Sequence, residues 1–214
     1  MPGLADVERI ALQCTRCPLA VGRTTVVFGE GDPNADLMVI GEGPGREEDL
    51  QGRPFVGRSG QLLDRLLLEE AGLRRSQVYI ANVVKCRPPG NRDPLPEEID
   101  ACRPYLDQQV ALIAPQVVIT LGNFATRLLL DTTEGITRLR GRTFPFGEAA
   151  AVVLPTFHPA AALRGGGEVV ARMRADFVRA RVVLDRAGTA APTTAGPTAA
   201  GPTGSASSPR PRGR

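Results

Sequence analysis

The first 186 residues of this 214-residue chain predict an α/β layer fold with a largely parallel sheet. Two observations carry that expectation. Short apolar runs of strand length alternate along the chain with longer segments of helical periodicity, and no segment repeats another. One layered domain follows, with a tail behind it.

Taken in order, residues 4–13 have a helical pattern. Residues 36–40 (DLMVI) form a short continuous apolar run, the pattern of a buried strand. Residues 59–71 carry Leu62, Leu63, Leu66 and Leu67 at helical spacing. Residues 77–84 are rich in β-branched and aromatic side chains and read as a strand. Residues 96–114 open on Pro-Glu-Glu, which suits a first helical turn. A strand at 116–121, a helix at 123–130, a strand at 151–155 and a closing helix at 168–185 complete the set. Ligands of open α/β sheets bind beyond the carboxyl ends of the strands. Three segments fall there: 41–49 after DLMVI, Asn82 near the end of VYIANVV, and 156–159 after AVVLP.

A 42% hydrophobic composition suffices for a core. No apolar run reaches the ~18–20 residues of a membrane span, and residues 1–8 lack a basic segment followed by an apolar one. A cytoplasmic protein is expected. Residues 187–214 are dominated by Ala, Pro, Thr, Gly and Ser, have no large apolar residue, and are expected to be a disordered tail. The tail holds Arg210, Arg212 and Arg214 and no acid. Without them the 26 basic residues become 23, equal to the 23 acids. Net charge therefore does not mark a nucleic-acid binder, and a DNA partner would require a local basic patch. Lys85 is the only lysine. The arginine excess reads as compositional bias.

Cys14 and Cys17 form a C-x2-C pair, with Cys86 and Cys102 following. Four cysteines in such a chain point to a metal site rather than to disulfides. Zinc and a [4Fe–4S] cluster both accept four thiolates. Only one of the two pairs is tight, unlike a zinc ribbon, which favours the cluster.

The loop GEGPGREED (41–49) lacks the endings of a phosphate-binding or dinucleotide loop. Its glycines allow close approach to a ligand, and Glu42 stands at the strand end. His158, the only histidine, follows a buried strand and precedes Pro159. A neutral or protonated imidazole there can donate to an oxygen that gains negative charge. The Asn82 amide carries a donor and an acceptor side by side, matching O4 and N3–H of uracil. Phe55, in GRPFVGRSG, is a candidate stacking surface. Each residue alone also has a plain structural reading: turn, core or surface.

Together these stretches resemble the family 4 uracil-DNA glycosylases. The matching segments are CTRC (14–17), VVFGEG (26–31), GEGPGREEDLQGRPFVGRSGQLLDRLL (41–67), VYIANVVKCRPPGNRDPLPEE (78–98) and FHPAAALR (157–164). The resemblance implies a three-layer α/β/α fold. It implies a structural [4Fe–4S] cluster on Cys14, Cys17, Cys86 and Cys102. It also implies uracil bound among Gly41, Glu42, Gly43, Phe55, Asn82 and His158. A related group traps its DNA product through a histidine in an inserted loop, and residues 85–102 contain none. Another relative has an apolar residue where Glu42 stands.

The expected activity is monofunctional: a uracil flipped from single- or double-stranded DNA, and its glycosidic bond hydrolysed to leave an abasic site. Glu42 would position or activate water or steady the sugar cation, and His158 would stabilise charge on the leaving base. No lysine suggests a Schiff base. A monomer is expected. Rival readings are a non-catalytic DNA-binding relative of the same fold, an iron–sulfur electron carrier and a zinc-stabilised nucleotide hydrolase.

Overall fold

The computed structural model describes residues 3–147 and 151–190, with side chains through residue 187. Most of the predicted tail lies outside these residues. Among the described residues, no helix is long and apolar enough to cross a membrane.

Helices α1 (Leu4–Leu12) and α2 (Leu19–Gly22) come first. The short strand β1 (Glu30–Gly31) and the central strand β2 (Leu37–Gly41) follow. Then come α3 (Arg46–Gln51), α4 (Arg58–Leu66), β3 (Tyr79–Asn82) and the long α5 (Pro96–Ile113). Strand β4 (Val117–Leu121) leads into α6 (Asn123–Leu130) and α7 (Ile136–Leu139). Strands β5 (Phe144–Phe146) and β6 (Ala151–Thr156), then α8 (Pro159–Gly165) and α9 (Gly167–Ala190), complete the described residues.

The sheet runs β1-β3-β2-β4-β6-β5. The four inner strands are parallel and the two edges antiparallel. Strands β2, β3 and β4 are buried at every position, which explains their continuous apolar runs. Their side chains alternate between two cores. Met38, Ile40, Tyr79, Ala81 and Val118 pack on the side of α1 and α5. Leu37, Val39, Ile80, Val117 and Ile119 pack with α4 and α9 on the other. The fold is the predicted three-layer α/β/α arrangement.

Three predicted elements differ in extent. The strand expected over 77–84 spans only Tyr79–Asn82, because Arg75–Gln77 forms a short 3-10 turn before it. The helix expected over 59–71 is α-helical only through Leu66 and continues as a π-turn over Leu67–Ala71. Helix α9 continues through Ala190, taking in the first four residues of the expected tail. The edge strands and the short helices α2, α3, α7 and α8 carry no periodicity long enough to read from sequence.

The sheet order places the switch of direction at β2. The chain crosses from β2 to β3 on one side, then returns past β2 to β4 on the other. A crevice at the carboxyl ends of these strands is the expected ligand position, and Gly41 and Asn82 are the registered last residues of β2 and β3.

Candidate functional site

The crevice is a cavity of about 560 Å³ lined by Glu42, Gly43, Phe55, Asn82 and His158, among others. Five of the six predicted pocket residues thus share one space. The sixth, Gly41, is not on the cavity wall but packs against two residues that are, Asn82 and Phe55. A Cβ there would stand 2.5 Å from both Asn82 Oδ1 and Phe55 Cζ, so only glycine leaves room.

Asn82 is 1% exposed. Its Oδ1 is, among the described residues, the one buried side-chain oxygen or nitrogen with no hydrogen-bond partner. A buried orphan acceptor is costly, about 1–3 kcal/mol, unless a ligand satisfies it.

Phe55 adopts a left-handed backbone conformation (φ 52°), a strained state for a non-glycine residue. Two side chains, Glu48 and Arg75, hold it there. Glu48 Oε1 accepts from the N–H groups of Val56 (3.0 Å) and Gly57 (3.2 Å). Its other oxygen accepts from the Gly45 N–H at 3.1 Å. On the far side, Arg75 donates to the carbonyls of Phe55 and Pro54 while Glu30 and Asp64 anchor its guanidinium. The Phe55 ring consequently stands 5.7 Å from the His158 ring, centroid to centroid, at an interplanar angle of 35°.

His158 caps α8, and its Nδ1 accepts from the Ala160 N–H at 3.1 Å. The remaining proton of a neutral ring therefore sits on Nε2. Burial, aided by nearby Arg164, pulls the imidazole down to about 4. The ring is thus neutral at pH 7, which narrows the two protonation states the sequence left open. Behind it, the Thr156 hydroxyl donates to buried Asp176 at 2.6 Å, and Arg140 pairs with that carboxylate. Glu42 moves the opposite way. Burial, then the negative charge of Asp93, pushes its carboxyl up to about 7.

Arg46, Arg58, Arg92 and Arg164 also line this cavity. Arg92 is bound to buried Glu98 at 2.6 Å. The four arginines share the wall with four acids, Glu42, Glu47, Glu48 and Asp93, so the lining is mixed in charge rather than a basic patch.

Cys14, Cys17, Cys86 and Cys102 line a second pocket with Ala11, Ala20, Val26 and Tyr105. The cavity they enclose is about 10 Å³. All four are free thiols. Arg23 donates to the Cys14 carbonyl (2.7 Å) and to Cys86 Sγ (3.3 Å). The Lys85 N–H donates to Cys102 Sγ at 3.2 Å. Among the described residues, no three His, Cys, Asp or Glu side chains group closely enough to hold a single metal ion.

Glu48 and Arg75 escaped the sequence reading. The G-x-x-E spacing of Gly45 and Glu48 was a usable capping signal. Nothing near Arg75 announced that it would reach residues 54 and 55.

The family model of the uracil DNA glycosylase superfamily matches residues 28–181. The chain is 46% identical over 169 residues to the type-4 uracil-DNA glycosylase of Sulfurisphaera tokodaii, covering 76% of this chain and 77% of that protein. It is 47% identical over 167 residues to the type-4 enzyme of Thermotoga maritima, 78% of this chain and 85% of the relative. Identity to the type-5 uracil-DNA glycosylase of Pyrobaculum aerophilum is 30% over 208 residues. The chain belongs to the uracil DNA glycosylase superfamily, within its type-4 family.

Proposed function

We propose that this protein is a monofunctional uracil-DNA glycosylase of base excision repair, a cytoplasmic monomer acting on uracil in single- or double-stranded DNA. The observation that carries the reading is the orphan Oδ1 of Asn82 at the end of β3, beside the Phe55 ring. Uracil offers N3–H to that oxygen and O4 to the amide nitrogen; cytosine presents the opposite pattern. A site with an unsatisfied buried acceptor rejects a base that cannot fill it.

The uracil nucleotide leaves the stack at a cost of about a few kcal/mol, and the arginines at the cavity mouth meet the backbone phosphates. Phe55 stacks on the base. As the C1′–N1 bond breaks, the electron pair passes to the uracil ring. His158 Nε2–H and the N–H groups of residues 41–43 stabilise the charge that appears on its oxygens. A neutral imidazole serves here because it keeps its donor without transferring the proton. Glu42 takes a proton from the water that attacks C1′, which its raised carboxyl suits near neutral pH. The abasic sugar and uracil then leave.

The four cysteines would hold a [4Fe–4S] cluster. Two N–H···S hydrogen bonds toward Cys86 and Cys102 suit thiolate ligands. The single tight C-x2-C pair, where a zinc ribbon has two, favours the cluster over zinc. Bound there, the cluster supplies a structural tie between the 14–17 loop, residue 86 and α5.

Uracil release from an oligonucleotide with one U opposite G tests the reaction. Single-turnover rates should fall about 10²–10³-fold in His158→Ala, and Asn82→Ala should lose both rate and selectivity for uracil over cytosine. A folded, cluster-loaded wild type that releases no uracil would leave the accessory DNA-binding module as the better account.

A further inference from the structure

Lys85 is the only lysine among 26 basic residues, and it is 2% exposed. Every other cation of the chain is an arginine. The one ammonium therefore stands where protein encloses it, in a place the reaction above does not use.

Its main chain and side chain serve two different structures. The backbone N–H donates to Cys102 Sγ at 3.2 Å, and the carbonyl accepts from the Val27 N–H at 2.8 Å. The side chain turns back toward β3. Nζ donates to the Asn82 carbonyl at 2.8 Å and to Gln109 Oε1 at 2.5 Å. It also lies 5.8 Å from the centre of the Phe28 ring. Gln109, on α5 with Cys102, is itself fixed. Its Nε2 donates to the Phe28 carbonyl (2.9 Å) and the Tyr79 hydroxyl (3.2 Å).

We infer that Lys85 is a positioning residue for base recognition, gripping the Asn82 carbonyl to set the direction in which the Asn82 amide enters the cavity. The inference rests on the reading of Asn82 as the uracil-binding side chain. Asn82 Oδ1 makes no bond within the protein, so nothing on that oxygen aims it. The main chain does, and Lys85 holds the main chain. A compact ammonium reaches two acceptors at an angle and faces the ring with its remaining hydrogen. A planar guanidinium is larger and has a fixed fork, which fits the place less well. The same residue joins the two pockets, because its N–H is on a cysteine sulfur and its ammonium is on the base-reading strand.

The test is a double-mutant cycle on the full-length, cluster-loaded protein, using Lys85→Met, Asn82→Ala and both together. Lys85→Met with wild-type iron content and melting midpoint should release uracil about 10–100-fold more slowly, as expected for a small misplacement. In the Asn82→Ala background the same change should cost less than about 3-fold, because coupled residues are not additive. The Asn82 side-chain amide resonance, assigned by its loss in Asn82→Ala, should move in Lys85→Met. Lys85→Arg should not restore the wild-type rate or resonance. If the two losses multiply in full, or the resonance stays in place, the inference is overturned. Should Lys85→Met fail to fold, Gln109→Met loosens the ammonium instead, and a loss that multiplies fully with Asn82→Ala overturns the inference equally. A wild type that releases no uracil while the resonance still moves would sink the reaction and leave the Lys85–Asn82 link standing.

Discussion

The cysteine pocket and the base pocket meet on the segment 82–86, and they are built by opposite means. Around the cysteines, the sulfurs of Cys86 and Cys102 receive N–H donors and the walls are largely apolar. In the base pocket an acceptor is left unpaired, a phenylalanine is held in a strained backbone, and a carboxyl is pushed up to about 7. The first arrangement contributes stability. The second spends stability to keep its groups ready for a ligand.

The widest gap between the two regions should appear in thermal melting. Cys102→Ser removes one of the four proposed cluster ligands and should cost roughly 4 kcal/mol or more, as loss of a metal site does. At about 2–4 °C per kcal/mol for a domain of this size, the midpoint should fall by on the order of 10 °C. The visible absorbance of the cluster should go with it. Asn82→Ala deletes an unsatisfied polar group and should leave the midpoint unchanged or raise it slightly. A Cys102→Ser protein that melts with the wild type would end the contrast.

Gly41→Ala sharpens the other half. The backbone there is not left-handed, so alanine is tolerated conformationally. Its Cβ, however, would stand 2.5 Å from the Asn82 amide oxygen and the Phe55 ring. A loss of about 10²-fold in kcat/KM is expected from misplacing the reading groups, with the cluster absorbance intact. Wild-type kinetics in that variant would mean that the base does not rest between Asn82 and Phe55.

The two regions were also unequally legible. Cysteines can be counted, and all four line one pocket between the loops after α1 and β3 and helix α5. The strands could be read because burial on both faces leaves an uninterrupted apolar run, as in LMVIG of β2 and VVITL of β4. Asn82, Phe55 and His158 could be named only as candidates, since each residue type has a structural reading of its own. What made them a site was invisible in one dimension. The left-handed turn at Phe55 depends on Glu48 seven residues away and Arg75 twenty residues away. The neutral state of His158 depends on enclosure by neighbours and on Arg164. The short elements failed for a simpler reason: α3, at six residues, is set by its caps and by Asp49 binding the Thr24 N–H at 2.9 Å, not by periodicity.

The smallest expected effect concerns the charge beside Glu42. In its proposed role as the water-activating base, Glu42 must be ionised, so excision should rise with pH through about 7. His158, held down at about 4, is neutral across that range and adds no limb to it. Burial is the larger cause of the Glu42 shift and Asp93 the second. Asp93→Asn removes only the second, so the acid limb should move to lower pH without reaching the ordinary carboxylate range. Rates at about pH 6 should increase, and those at about pH 8, where the base is ionised in both proteins, should match the wild type. A uniform change at both pH values would show that Asp93 acts on DNA binding instead. A limb that stays in place would show that Glu42 is not the group whose titration the reaction follows, and would return it to the role of a fixed charge beside the sugar.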